Sequence, residues 1–256
     1  MRRSAQAALA VVVAALGLGA QSPAPLAERL AAADRLYAQG DGRGALGGYQ
    51  AVLARDALNY EAAWKAARTA IDLGEFERDA TERARLYDEA SAYGLTATQA
   101  DSVGVAGYFQ YARATGRLAQ SLGVRDRIHV AEKVRALSLK ALALSPEHGG
   151  ALHILGVWNA EIMRLNGISR FIAKSFLGAD VFGAAGWDSA VTYLRRSVAS
   201  EPTRIVHHLD LGRVYADIGR ADAARAEFEW IARAPTADYN DANYKRQAAE
   251  ALRGLK

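Results

Sequence analysis

From Arg125 to Ser145 the apolar residues Val130, Val134, Leu137, Ala141 and Leu144 recur at spacings of 4, 3, 4 and 3. That spacing places them on one side of a helix, with Arg127, Glu132, Lys133, Arg135 and Lys140 mostly off it. Patterns of this kind fill the chain after Pro25, and no sustained period-2 run of β-branched residues competes with them. Helix-ending signals fall near Gly40–Gly44, Leu58–Tyr60, Gly74, Tyr93–Gly94, Gly123, Pro146–Gly150, Gly183–Gly186, Glu201–Pro202, Gly219 and Pro235. Helices of that length, joined by short turns, suit antiparallel pairs. In the middle of the chain the same signals predict helices over Ala84–Ala92 and Asp101–Leu122. The expectation is an all-α chain.

The pairs repeat. Asp210 to Ile231 reads D-L-G-R-V-Y-A-D-I-G-R-A-D-A-A-R-A-E-F-E-W-I. In a repeat of about 34 residues that begins at Ile205, Leu211 and Gly212 take places 7 and 8, and Tyr215 takes place 11. Gly219, Ala224, Phe228 and Ile231 then take places 15, 20, 24 and 27. These are the signature places of the tetratricopeptide repeat. Small residues are needed where the two helices touch, and large ones fill the gap beside them. The same register puts Ala190 at place 20 and Pro202 at place 32 of the preceding repeat. It also sets Gly40, Ala45, Tyr49 and Val52 at 15, 20, 24 and 27 of the first, and Leu155 and Gly156 at 7 and 8 of another. The fold expected is a tetratricopeptide-like α-solenoid of antiparallel helix pairs, ended by a capping helix over Asp241–Leu255.

A narrower resemblance rests on Ser145 to Asn159, S-P-E-H-G-G-A-L-H-I-L-G-V-W-N, and on the long insertion that follows at about 165–186. Next come Trp187-Asp188-Ser189-Ala190, Pro202, Ile205 to Gly212, and a final helix with Asp241, Tyr244, Lys245 and Ala248. This order resembles the tetratricopeptide-type proteins related to the regulator of microtubule dynamics family, in detail over about residues 130–254. The resemblance implies a helical scaffold without catalytic residues that acts by binding and, in eukaryotic members, associates with microtubules and spindle poles. The chain departs from that pattern in having Gly183, Ala184 and Ala185 where a proline-containing segment is expected, and in its N-terminus. What carries over is the fold and the binding of a partner.

Residues 1–20 read as a signal peptide. Arg2 and Arg3 precede the apolar stretch Ala7–Ala20, which is shorter than the roughly 20 residues needed to span a bilayer. Cleavage is expected after Ala20, with residues 21–25 a linker and 26–256 one helical repeat domain. An exported protein of the bacterial periplasm or cell envelope follows. The absence of cysteine excludes disulfides, thiolate metal sites and thiol nucleophiles. Without Arg2 and Arg3 there are 30 basic against 28 acidic residues, too even a balance for nucleic acid.

The candidate chemistry is sparse. His148 and His153 are five apart, His207 and His208 are adjacent, and no H-E-x-x-H occurs. A metal centre would need His153 and His208 to approach across successive first helices. The reading is packed or capping histidines, with no metal and no cofactor. Gly40-Asp41-Gly42-Arg43-Gly44 has neither a preceding strand nor a following Lys-Ser/Thr, so it reads as a repeat turn rather than a phosphate loop. No nucleophile stands in a strand-turn-helix setting, so no enzyme is expected. Ile168, Phe171, Ile172, Phe176 and Leu177 form an apolar face flanked by Arg170 and Lys174. This face either packs on the neighbouring pair, covers the groove, or carries a membrane-surface envelope protein through 168–182. First helices line the concave face of such a stack, and repeat place assigns His153, Val157, Glu161, Leu209, Arg213 and Asp217 to it as partner-binding residues. Arg213 is expected to meet an acidic group of a protein or peptide partner. The oligomeric state is not readable from these features.

Overall fold

The computed structural model describes residues 25–119, 122, 124–165 and 185–255. The proposed signal peptide 1–20, the Gly123 break, and the apolar face of Ile168, Phe171, Ile172, Phe176 and Leu177 lie outside the described residues. Among the described residues every regular element is helical. In chain order these are α1 (Leu26–Ala38), α2 (Gly42–Leu53), α3 (Tyr60–Gly74), α4 (Ala80–Ala100), α5 (Val105–Leu118) and α6 (Val124–Leu144). They are followed by α7 (Gly149–Arg164), α8 (Trp187–Ser200), α9 (Ile205–Asp217), α10 (Ala221–Arg233) and α11 (Asp241–Gly254).

Local chemistry accounts for several of the boundaries. Asp41, Asn59, Asp79 and His148 each accept a backbone N–H at the start of α2, α3, α4 and α7, satisfying donors that a helix end leaves open. The turns after α1 and α9 contain Gly40 (φ 83°) and Gly219 (φ 74°), both at place 15, in the left-handed region that glycine enters without strain. The expected small-large contact is present twice. A Cβ on Gly212 would lie 2.6 Å from the Phe228 ring, and one on Gly156 would lie 2.5 Å from Leu194 Cγ, so places 8 and 24 meet in both repeats. Ala190 and Ala224, at place 20, are fully buried.

The middle of the chain differs from the sequence-based expectation. No break occurs at Tyr93–Gly94, because α4 runs unbroken from Ala80 to Ala100 and α5 starts only at Val105. Gly94 is small for another reason. A Cβ there would meet the Tyr111 Cα at 2.7 Å, so α5 crosses α4 over the bare glycine backbone.

The helices stack as pairs α1/α2, α3/α4, α5/α6, α7/α8 and α9/α10, with α11 on the last pair. The first helices α3, α5, α7, α9 and α11 touch in succession and form the inner face. The core is divided. One cluster holds Ala33, Tyr49, Ala66, Ile71, Leu86, Tyr87 and Ala114 from α1–α5. Two others, which share Tyr215, hold Leu194, Leu211, Ile205, Phe228, Ile231 and Tyr244 from the C-terminal pairs. Between them lies a small cluster of Val134, Trp158 and Ile162. As expected of a cap, α11 covers the last pair with Tyr244 and Ala248, and in addition it reaches α3 across the inner face.

Candidate functional site

His153, Val157 and Glu161 follow one another by four residues on α7, as do Leu209, Arg213 and Asp217 on α9, so each trio shares a helical face. Five of the six line a cavity of about 690 Å³ on the inner face: Val157, Glu161, Leu209, Arg213 and Asp217. Its other walls bring in Glu75 and Phe76, Arg117 from α5, and Tyr244 and Gln247 from α11. His153 is not part of this lining. Its ring stacks on His207 with centroids 4.8 Å apart, and its Nε2 lies 2.9 Å from Asp210 Oδ2. Leu209 is only 1% exposed, so it serves the C-terminal core more than the cavity.

Arg213 and the carboxylates already have partners within the chain. Arg213 donates to Asp210 Oδ1 (3.0 Å) and to Gln247 Oε1 (2.6 Å), tying α9 to α11. Arg164 holds both Glu161 (2.5 Å) and Asp217 (3.0 Å from Nε). Burial alone would raise the Asp210 pKa, but the His153 hydrogen bond and the Arg213 charge hold it well below the usual carboxylate range. The cavity is therefore lined by ion pairs over an apolar strip of Phe76, Val157 and Val206.

The second half of the site was not identified in the sequence. Asp72 and Glu75 sit at 8% and 6% side-chain exposure at the C-terminal end of α3 and just beyond it. Arg113 of α5 bonds Asp72 at 2.6 Å and Glu75 at 3.3 Å, and Arg117 bonds Glu75. Tyr244 donates to Glu75 at 2.8 Å, and Tyr37 donates to Asp72 at 2.6 Å. Burial would lower the Arg113 pKa, yet the two carboxylates more than offset it and keep the guanidinium charged. Burial and the neighbouring Glu75 raise the Tyr244 phenol, which therefore stays a donor. The one available signal was the i, i+4 spacing of Arg113 and Arg117 on an inner-face helix.

His148, His153, His207 and His208 pack or cap, whereas His129 is exposed. His148 Nδ1 accepts the Ala151 N–H. His208 is engaged elsewhere than at His153: it lies 2.6 Å from Glu227, 3.0 Å from the Pro202 carbonyl, and stacks on Trp230 at 3.6 Å. The residue that meets His153 is instead His207, whose pKa burial lowers well below its ordinary value. Among the described residues, no group of three or more His, Cys, Asp or Glu side chains could hold a metal ion. Asp41 and Gly40 form the turn before α2, as the repeat register requires. No described helix is long and apolar enough to cross a membrane.

Stacked antiparallel pairs, first helices on the inner face and the contact between places 8 and 24 together define a tetratricopeptide-like α-solenoid. A TPR protein of Thermus thermophilus shares this fold with a TM-score of 0.66 at 20% identity, over 89% of this chain and 99% of that one. Pseudomonas aeruginosa pilF matches with a TM-score of 0.52 at 13% identity, over 89% of this chain and 88% of its own. The family model of Regulator of microtubule dynamics protein 1-3 matches residues 29–256, and the chain belongs to that family. Regulator of microtubule dynamics protein 1 of Mus musculus is 24% identical over 238 residues, covering 91% of this chain and 75% of the mouse protein. The Bos taurus protein of the same name is 24% identical over 206 residues, which are 78% of this chain and 63% of the bovine one, less than two thirds of its length.

Proposed function

We propose that this chain is a non-catalytic, exported scaffold that binds a protein or peptide partner in its inner groove. The observation that carries the reading is the cavity of about 690 Å³ between α7, α9 and α11, where an apolar strip is flanked by Arg–carboxylate pairs. Grooves of this shape and chemistry accept extended or helical segments, with apolar contacts supplying affinity and charged pairs setting register. Val157 and Val206 would take apolar side chains. Arg213 and Arg164 would exchange part of their bonding with the carboxylates of the partner, and Glu161, which is 64% exposed, would receive a cation. The microtubule association named for eukaryotic members is not carried over, because the N-terminal signal reads as bacterial export to the periplasm or envelope.

A photo-crosslinking amino acid at Val157, compared with one at exposed Arg225 on α10, tests the groove in cells. One partner captured at 157 but not at 225, and lost on Arg213→Glu, is the expected result. Equal capture at both positions, or only lipid adducts, would overturn it. The N-terminal sequence of the protein recovered from the envelope tests export separately, with Gln21 as the expected first residue.

A further inference from the structure

In a helix-pair stack each pair needs only its neighbours for stability. Here the last helix, together with Tyr239 and Asn240 just before it, also touches the first two pairs, across more than 160 residues of sequence. Asn240 Nδ2 donates to the Asp72 carbonyl at 3.1 Å, and Tyr244 donates to Glu75 at 2.8 Å. The Tyr239 ring stacks on Tyr37 at 5.7 Å, and Phe76 meets Tyr244 edge-on at 5.8 Å. These few contacts form a narrow seam. A cavity of about 620 Å³ borders it on one side and the groove cavity of about 690 Å³ on the other, and Phe76 lines both.

Three features make this seam separable from the rest of the fold. The N-terminal and C-terminal cores are separate clusters, and Phe76 of the N-terminal half packs on the C-terminal one at the seam itself. They are joined on the far side by the small cluster of Val134, Trp158 and Ile162, by the Trp158 Nε1 bond to the Ala131 carbonyl at 2.9 Å, and by Phe109 of α5 against His148 and Gly150. The charges at the seam balance within the N-terminal half, since Asp72 and Glu75 are bonded by Arg113 and Arg117 whether or not α11 is there. Parting the seam therefore strands no buried ion, the event that would otherwise make separation costly.

We propose that the molecule is a two-jaw clamp. The jaws are α1–α5 and α7–α11, the hinge is the contact of α5, α6 and α7, and the Asp72/Glu75–Asn240/Tyr244 seam is a latch. When the latch parts, the two flanking cavities join into one channel that is open to a partner segment from the side. The use of this movement rests on the groove-binding reading above, whereas the movement itself does not. Hinge closure about a few element-terminal residues is a common way for a binding cleft to gate access.

The chain has no cysteine, so spin labels can be placed cleanly on the full-length protein. Ala31→Cys on α1 with Ala249→Cys on α11 spans the seam, and Ala31→Cys with Ala92→Cys lies within one jaw; all three positions are exposed. Tyr239→Ala combined with Tyr244→Phe removes the Tyr37 ring contact, the hydrogen bond of the Tyr239 hydroxyl with the Gly42 backbone, and the Tyr244–Glu75 hydrogen bond. The open-to-closed ratio should then rise about tenfold or more. The expected result is a second, longer 31–249 distance with the 31–92 distance unchanged. An unaltered 31–249 distribution would overturn the clamp. So would broadening of both pairs, since the seam would then be part of the folded core rather than a latch, and Asn240→Ala provides a milder variant for the same reading. Crosslinking at Val157 that persists while the jaws never part would leave the groove reading standing and remove only the clamp.

Discussion

A single methyl group tests the repeat logic. A Cβ on Gly212 would lie 2.6 Å from Phe228 Cε1 and 3.0 Å from Cδ1, and the ring is only 1% exposed, so relief must come from displaced core neighbours. Overpacking of this kind costs about 1–3 kcal/mol. Alanine in place of glycine within a helix returns up to about 1 kcal/mol. Gly212→Ala should therefore destabilise α9–α10 by roughly 0–3 kcal/mol, the difference of those two effects. In a Phe228→Ala background the clash is gone, and the same substitution should stabilise by up to about 1 kcal/mol. The coupling energy of the cycle is then about 1–3 kcal/mol. Repeat stacks need not unfold in one step, so the assay is local opening free energy from amide hydrogen exchange in α9 and α10, not a global melt. Gly156 against Leu194, with a Cβ at 2.5 Å from Cγ, should give the same sign reversal. If Gly212→Ala has the same effect in both backgrounds, within about 0.5 kcal/mol, the two positions are independent and the reasoning fails.

Other perturbations have equally definite outcomes. His207 faces His153, Arg204, Asp210, His208 and Glu201, and its folded pKa lies well below 6.5. As pH falls below 6.5 the unfolded chain takes up a proton that the folded chain refuses, so stability is full above that pH and declines below it. The Tm should drop between pH 7 and pH 5, and a His207→Phe curve parallel to wild type would refute this. Arg113→Met should cost about 3–5 kcal/mol by leaving Asp72 buried without its guanidinium, and adding Asp72→Leu should recover part of the loss, read from hydrogen exchange in α3 and α5. Gly219→Ala, at φ 74°, should cost about 1–2 kcal/mol. Gly47→Ala, where nothing lies within 4 Å inside α2, should instead stabilise by up to about 1 kcal/mol; thermal melts that rank the two the other way would contradict the assignment.

The contrast between Gly212 and Gly94 marks how far the sequence can be read. Gly212, Ala224 and Phe228 are legible together because a short-range rule links them: one turn of helix, a glycine turn and a return helix place them in contact whatever the rest of the chain does. Gly94 belongs to no such set. Glycine both ends helices and lets backbones cross closely, and only the position of Tyr111 decides that it does the second here. The boundaries of α4 and α5 were lost with it. His207 shows the same limit on a smaller scale. Adjacency shows that it and His208 diverge, but not that His207, at 2% exposure, is the one to stack on His153.

The groove divides along the same line. Val157, Glu161, Arg213 and Asp217 follow from four-residue spacing on neighbouring helices, and the cavity they share needs nothing beyond nearest-neighbour stacking. Glu75, Arg117 and Tyr244 come to that cavity from helices that are far apart in the chain. Their meeting depends on small rotations summed over every pair between α3 and α11. A change of a few degrees per pair would leave each local contact intact and carry Tyr244 away from Glu75. Repeat-defining residues and seam residues should therefore fail independently. Substituting Gly156 or Leu194, whose cluster does not include Tyr244, should loosen one pair and leave the Tyr244–Glu75 bond in place, whereas Tyr244→Phe should leave exchange in α9 and α10 unchanged while altering the separation of the two ends.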